Sequence, residues 1–317
     1  MFFLINLLHF SHYFFYLDLP VNITVLGPGA VGSLWACYLQ KAGHNVSLWT
    51  RNPIPFELSF SLNAKENSSH SFSCNVQKLL PQCDLLFITV KAWQVESALL
   101  PLLPLLSKDT ILLFMHNGMG AIDAIKERVN HHPVLQATTT HGALKENNHT
   151  VKHTGLGQTV IGPFNSLGNQ CQFIQEVLSH SLPSIEWNPE IKIALWKKLA
   201  INCAINPLTA IHQCQNGHLA HSDIHQDVIR ICSEVQQVLQ QENVEWTETE
   251  LVSIVNQVIS ATSENYSSMN RDCFYQRKTE IDYITGYLLQ KAEQHGISAP
   301  TNQTLYNQIK QLEENTL

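Results

Sequence analysis

The stretch NITVLGPGAVGSLWACYLQKAGHNVSLWTR, residues 22–51, decides the fold. It contains an apolar run at residues 23–26, a helical pattern at 30–42 and a second apolar run at 46–49. Gly43 is suited to end the helix, because glycine readily adopts the left-handed conformation common at that position. The order strand, helix, strand predicts one unit of a parallel sheet covered by helices.

The turn after the first predicted strand matches the pattern G-x-G-x-x-G. It follows an apolar strand and opens a helix whose N-terminus favours phosphate charge, so it predicts a dinucleotide-binding loop. A glycine-rich turn without a ligand is the alternative. The predicted cofactor-binding residues of this loop are Gly27, Pro28, Gly29, Ala30, Val31 and Gly32.

Arg51 follows the second predicted strand, where NAD-binding domains usually carry an acidic residue for the ribose hydroxyl. A guanidinium group pairs bidentately with phosphate, so Arg51 favours NADPH over NADH. A solvated strand end would explain the same residue.

Two further strands are predicted at residues 85–90 and 111–115, which are apolar as a sheet covered on both faces requires. Lys91 and Asn117 follow near their carboxyl ends, where doubly wound sheets bind ligands, although polar residues also end strands in water.

Residues 59–73 are polar and weakly patterned. Residues 150–154 and 158–162 predict a hairpin around Gly155-Leu156-Gly157 that closes the first domain.

After residue 186 the pattern becomes helical, at residues 189–205, 225–241, 249–264, 280–294 and 302–313. In a helix around residues 196–211, Lys198, Asn202 and Asn206 recur at four-residue intervals and share one face among apolar neighbours. A polar stripe on a buried helix faces either a cleft or solvent. In a cleft, partial desolvation would lower the lysine pKa and make it a usable proton donor.

A second polar cluster lies at residues 267–282 and contains Ser267, Ser268, Arg271, Asp272, Arg277, Glu280 and Asp282. Its serines could bind a carboxylate and Glu280 a hydroxyl group. Composition alone favours a solvated, charged stretch.

The composition is that of a globular protein of two domains, with 317 residues, 44% of them hydrophobic, and a formal net charge of −7. No dense run of Lys and Arg occurs, which argues against a nucleic-acid partner. The eight cysteines form no Cys-x-x-Cys pair, which favours reduced thiols and a cytoplasmic location. The histidines are dispersed too, so we expect no metal site.

Residues 1–20 are apolar and aromatic but contain no Lys or Arg, so they lack the charged region of a signal peptide. Their uninterrupted apolar runs are too short to span a bilayer. We therefore expect no membrane partner, a translation start near Val21, and an extension that is not part of the fold. A cleaved signal or an anchor is the alternative.

Five separated motifs resemble the 2-dehydropantoate 2-reductase (ketopantoate reductase) family. Besides the glycine loop they are KAWQ at 91–94, HNGMG at 116–120, KLAINCAINPLT at 198–209, and SSM at 267–269 leading to RKTEID at 277–282. The resemblance implies an α/β Rossmann-type N-terminal domain followed by an all-α C-terminal domain resembling that of 6-phosphogluconate dehydrogenase. We place the NADP-binding domain at residues 21–186 and the helical catalytic and substrate domain at residues 187–317.

The resemblance also implies an activity: NADPH-dependent reduction of 2-dehydropantoate to (R)-pantoate in pantothenate and coenzyme A biosynthesis. By position, Lys198 and Glu280 match the family's catalytic lysine and substrate-positioning carboxylate. The implied substrate contacts are Asn117, Asn202, Asn206, Asn216 and Ser268. The implied cofactor contacts outside the loop are Arg51, Lys91, Asn117 and Glu280.

Two other functions remain open at this point. A related reductase would act on a different small 2-oxo acid with the same cofactor. A non-catalytic NADPH sensor would keep the loop and Arg51 without needing Lys198. The sequence leaves the oligomeric state open, with a homodimer as one option.

Overall fold

The computed structural model describes residues 20–54, 56–63, 65 and 67–315. The expectations for the N-terminal extension therefore lie outside the described residues, except at Pro20. The described chain divides into two compact units. The first contains the chain up to Val90 together with Gln94–His116 and Ile125–Ile191, and the second contains Lys91–Trp93, Asn117–Ala124 and the chain from Lys192 onward.

The first unit contains one sheet of eleven strands among the described residues. They are β1 Asn22–Leu26, β2 Asn45–Trp49, β3 Phe56–Asn63, β4 Ser68–Cys74, β5 Leu85–Ile88, β6 Ile111–Phe114, β7 Val134–Thr139, β8 Gly142–Asn147, β9 Thr150–Gly155, β10 Thr159–Pro163 and β11 Ile185–Trp187. Their order is β11-β10-β7-β6-β5-β1-β2-β4-β3-β9-β8. Four helices accompany them in the described part of this unit: α1 Ala30–Lys41, α2 Val95–Leu99, α3 Lys126–Val129 and α4 Ile174–Ser179.

Strands β7, β6, β5, β1 and β2 run parallel, as the strand, helix, strand pattern predicts. The predicted apolar strands are confirmed, since every residue of β5 and β6 is buried. Trp35 of α1 packs edge-on against Phe87 of β5, with ring centroids 5.3 Å apart. After α1, Gly43 adopts a φ of +95°, so the predicted glycine stop is confirmed.

The weakly patterned residues 59–73 belong to an antiparallel hairpin of β3 and β4. Phe60 and Phe72 are buried, while Ser59 and Ser71 pair on the exposed face. The alternation of buried and exposed residues is therefore that of a half-buried hairpin. The serine and histidine residues within it make the apolar alternation hard to recognise in the sequence.

The hairpin predicted at residues 150–162 is wrong. Strand β9 pairs with β8 and β3, whereas β10 pairs with β7 and β11. At the start of β10 the Thr140 N–H donates to the Gln158 carbonyl at 2.9 Å. Turn residues indicate where the chain leaves a strand, but which strand the following strand pairs with depends on distant residues.

The second unit is helical, and after β11 the described chain contains no further strand. Its helices are α5 Ile191–His212, of which only Ile191 lies in the first unit, α6 Ser222–Gln241, α7 Glu248–Ala261, α8 Ser268–Phe274, α9 Thr285–Gln294 and α10 Pro300–Glu314. The helix predicted at residues 280–294 begins later, because Ile281–Tyr283 forms a 3-10 turn. Helix α8 was not predicted. Within the described range, no helix is long and apolar enough to cross a membrane.

Candidate active site

The glycine loop joins β1 to α1 in the first unit. Gly27 has a φ of +86°, and a Cβ atom there would collide with Val90. A Cβ atom at Gly32 would collide with Thr89. Because only glycine fits these positions, the loop can lie close against the end of β5.

The N-terminus of α1 is suited to an anion. Gly29 is its exposed N-cap, and a Cβ atom there would meet only the Gly27 carbonyl oxygen, at 4.0 Å. The first turn contains no acidic residue, and N–H groups there have no acceptor within the helix. Pro28 precedes the cap, and Ala30 and Val31 begin the helix. The loop therefore fits the pyrophosphate of a dinucleotide.

Arg51 is exposed two residues after β2. Asn75, at the end of β4, holds the turn that carries it: the Asn75 Oδ1 accepts the Thr50 N–H at 2.8 Å. Asn75 is buried, has a φ of +56°, and also donates to the Asn52 carbonyl. Asn75 was not predicted, because no local pattern marks a residue 25 positions away as the support of a turn.

The second unit gathers a polar cluster around Glu280, which is 4% exposed. Its Oε1 accepts the backbone N–H of Ala92 at 3.1 Å, and its Oε2 accepts the Asn117 Nδ2 at 3.2 Å. Lys91 Nζ lies 3.4 Å from the same Oε2. The structure thus brings together three of the predicted site residues, Lys91, Asn117 and Glu280, which lie in separate motifs.

Lys91 also pairs with Asp272 of α8, with 2.6 Å between Nζ and Oδ2. Desolvation lowers the Lys91 pKa, but the carboxylates of Glu280 and Asp272 together outweigh it and raise the pKa above its usual value. Lys91 therefore stays protonated, and it is a fixed positive charge.

Lys198 lies on α5 and is partly exposed. Desolvation by the surrounding protein lowers its pKa to about 8, and the field of the Glu280 carboxylate opposes that shift. A lysine with this pKa can release a proton near neutral pH. The predicted lowering of the lysine pKa by desolvation is thus confirmed, whereas the role of Lys198 as a proton donor stays a prediction.

Asn202 and Asn206 follow Lys198 on α5, where Asn202 is half-buried and Asn206 is buried. The apolar neighbours of this stripe are largely buried, as predicted: Leu199, Ala200, Cys203, Ala204, Ile205 and Leu208. Beyond the stripe, Thr209 donates its hydroxyl to Ser267 Oγ at 2.8 Å, and Asn270 Nδ2 donates to the Thr209 carbonyl at 2.7 Å. These bonds attach the start of α8 to α5.

Ser268, the predicted substrate contact, is exposed as the first residue of α8, whereas Ser267 is its buried N-cap. Asn216 is buried at the start of a 3-10 turn, and its Nδ2 donates to Thr262 Oγ1 at 2.8 Å. Its Oδ1 is buried without a hydrogen-bond partner among the described residues. An amide oxygen left in that state is suited to a ligand donor.

The expectation of a solvated stretch at residues 267–282 is wrong for Asp272 and Glu280, which are both buried. Asp272 is 5% exposed and paired with Lys91, whereas Arg277 is exposed and only 3.7 Å from the other Asp272 oxygen. Composition could not show that Asp272 is buried and Arg277 exposed, because the partner that pairs with Asp272 lies more than 180 positions away in the chain. Among the described residues, no group of three or more His, Cys, Asp or Glu is arranged to hold a metal ion.

Two family models match the chain. Residues 23–166 match "Ketopantoate reductase PanE/ApbA", and residues 190–313 match "Ketopantoate reductase PanE/ApbA C terminal". Together they cover most of the described chain, including the glycine loop and the residues around Glu280.

Among curated proteins, the chain is 56% identical to the 2-dehydropantoate 2-reductase of Vibrio cholerae over 294 residues, which is 93% of this chain and 98% of that protein. A similar solved structure is D-mandelate dehydrogenase with NADH and anilino(oxo)acetate, with a TM-score of 0.84, 24% identity, and 93% and 99% of the two chains covered. Another is the dimeric ketopantoate reductase of Staphylococcus aureus, with a TM-score of 0.80, 23% identity, and 94% and 100% covered. At these identities the two structures show a shared fold.

Proposed function

The chain belongs to the ketopantoate reductase family, and from that premise we propose that it reduces 2-dehydropantoate to (R)-pantoate with NADPH. The step belongs to pantothenate biosynthesis, and the enzyme is an oxidoreductase. Identity of 56% over 93% of the chain to a curated 2-dehydropantoate 2-reductase supports the substrate. The observation that carries the chemistry is Lys198, whose pKa of about 8 lies close to physiological pH.

The first unit supplies the contacts to the phosphate groups of the cofactor. The Gly27–Gly32 loop and the N-terminus of α1 hold the pyrophosphate, and Arg51 holds the 2′-phosphate. When bound, NADPH supplies the hydride that reduces the C2 carbonyl. We assign cofactor binding to residues 21–186 and catalysis to residues 187–317.

Lys198 acts on the carbonyl oxygen. Negative charge develops on that oxygen during reduction, and the Lys198 ammonium stabilises the charge and donates the proton. Asn202 and Asn206, on the same face of α5, orient the reacting groups. Glu280 raises the Lys198 pKa and so keeps the donor protonated at neutral pH.

Glu280 also organises its surroundings. Its hydrogen bonds from the Ala92 N–H and the Asn117 Nδ2 fix its position. Its carboxylate accepts a hydrogen bond from the distal hydroxyl of the substrate and also contacts the cofactor. Lys91 and Asn117, which both contact Glu280, are the other cofactor contacts of this cluster. Ser268 binds the substrate carboxylate, and Asn216 contributes its amide oxygen, which has no hydrogen-bond partner among the described residues.

The same reaction on another 2-oxo acid is the main competing function. We would measure NADPH oxidation by the purified protein with 2-dehydropantoate, pyruvate, 2-oxoisovalerate and phenylglyoxylate, with NADH in parallel. The proposal expects the highest kcat/KM for 2-dehydropantoate with NADPH. A higher kcat/KM for another acid would refute the substrate, and binding without turnover of any acid would indicate an NADPH sensor.

We also propose a cytoplasmic homodimer. The free cysteines of the described chain favour a reducing compartment, and a dimeric reductase shares the fold. Sedimentation of the purified protein at several concentrations tests the dimer, and a monomer throughout would contradict it.

A further inference from the structure

Lys145 places a positive charge at the glycine loop, although it lies outside the G-x-G-x-x-G motif. It belongs to β8, which packs against α1. Its Nζ donates to the carbonyl oxygen of Pro28 at 3.2 Å, across 117 positions of chain. The fold of the first unit, not the motif, brings this ammonium to the loop.

The surroundings of Lys145 hold the ammonium without neutralising it. The Phe60 ring lies on one side, with its centroid 5.0 Å from Nζ. Lys145 is half-buried and forms no ion pair with a carboxylate of the described chain. Desolvation lowers its pKa below the usual value. A partly desolvated cation without a counter-charge favours an anionic ligand.

The Pro28 carbonyl keeps a hydrogen bond if Lys145 turns away from it toward a ligand. The Pro28 carbonyl also accepts the hydroxyl of Ser33 at 3.0 Å. Lys145 can therefore exchange its bond to Pro28 for a phosphate oxygen without leaving that carbonyl unpaired. The helix start beside it favours anions but contains no cationic side chain in its first turn.

We infer that Lys145 binds the pyrophosphate of the dinucleotide and supplies the positive charge that the glycine loop lacks. The inference rests on the proposed function, because it requires a dinucleotide at the loop. A lysine that only braces Pro28 is the competing role. The two roles differ in whether they need the positive charge. A hydrogen bond to the Pro28 carbonyl needs only a hydrogen-bond donor, whereas binding the phosphates needs a cation.

The test compares Lys145→Gln and Lys145→Arg with Lys152→Gln. Lys152 is an exposed lysine opposite Leu144 on the neighbouring strand β9 and serves as the matched control. Titrations use NADPH, NADH and adenosine 2′-monophosphate, which lacks the pyrophosphate. We expect Lys145→Gln to weaken both dinucleotides by a similar factor of about tenfold or more, because a charge-assisted hydrogen bond is lost.

Adenosine 2′-monophosphate should bind the Lys145→Gln protein as it binds the unaltered protein. Lys145→Arg should recover most of the dinucleotide affinity, and Lys145→Gln should flatten the dependence of log Kd on log salt concentration. Unchanged NADPH binding by Lys145→Gln overturns the inference, as does a loss confined to NADPH or an equal loss for adenosine 2′-monophosphate. If the unaltered protein binds neither dinucleotide, the proposed function itself fails.

Discussion

The Lys91 ammonium lies 2.6 Å from the Asp272 carboxylate, although 181 positions of chain separate the two residues. Asp272 is buried, and Lys91 is one-third exposed. The pair attaches the Lys91–Trp93 segment to α8, and it sets the position of a lysine that also contacts Glu280.

We expect Asp272→Asn to lower the free energy of unfolding by about 1–3 kcal/mol, since it leaves Lys91 with one charged partner fewer in a partly buried site. Urea denaturation measures the change. Asp227→Asn is the control, because Asp227 pairs with Arg230 on the surface and should contribute no more than about 0.5 kcal/mol. Equal effects of the two substitutions would contradict a structural role for the buried pair.

Lys198→Ala should reduce kcat by about 10²- to 10⁴-fold, because it removes the proposed proton donor. NADPH affinity, measured by fluorescence titration, should stay close to that of the unaltered protein. Lys197→Ala is a neighbouring control, since the Lys197 ammonium lies over the Trp246 ring instead. Normal turnover by Lys198→Ala would remove Lys198 from the mechanism.

The pH profile should report the Lys198 pKa. The proposed mechanism requires the protonated lysine, so kcat/KM should fall as the pH rises through about 8. Glu280→Gln removes the charge that raises this pKa, and the fall should therefore move to lower pH. An unchanged profile in the Glu280→Gln protein would separate Glu280 from the titration of Lys198.

Arg51→Gln should weaken NADPH binding about 10- to 100-fold and leave NADH binding nearly unchanged, because only NADPH carries the 2′-phosphate. Asn75→Ala should produce a smaller loss of the same kind, since it removes the Thr50 N–H acceptor and loosens the turn. The ratio of the two dissociation constants is the measurement. A parallel loss for both cofactors would contradict the assignment of Arg51.

Gly118→Ala should destabilise the second unit by about 1–3 kcal/mol. Gly118 has a φ of +80°, and a Cβ atom there would collide with the backbone of Tyr283. Gly43→Ala is the control, because Gly43 shares the positive φ but has no atom within 4 Å of its Cβ position. Thermal unfolding should show the larger loss for Gly118→Ala, and equal losses would mean that φ alone matters.

Local sequence predicted the core of the first unit well. The strands β1, β2, β5 and β6, and helix α1, follow from apolar runs, helical spacing and a glycine stop, all of which act within a few residues. The pairing of β9 and β10 did not follow, because their partners β8, β3, β7 and β11 are brought to them by the rest of the chain. The β3–β4 hairpin was missed because its exposed face is rich in serine.

The sequence by itself determined the nucleotide loop, Arg51, the polar stripe of α5, and the resemblance that led to the family. Only the tertiary structure decided that Asp272 and Glu280 are buried, that Glu280 holds Lys91 and Asn117, and that Lys145 reaches the glycine loop. The reason is physical. Helix and strand patterns depend on neighbours in the chain, whereas desolvation and Coulomb interactions depend on distances between residues that the chain keeps far apart.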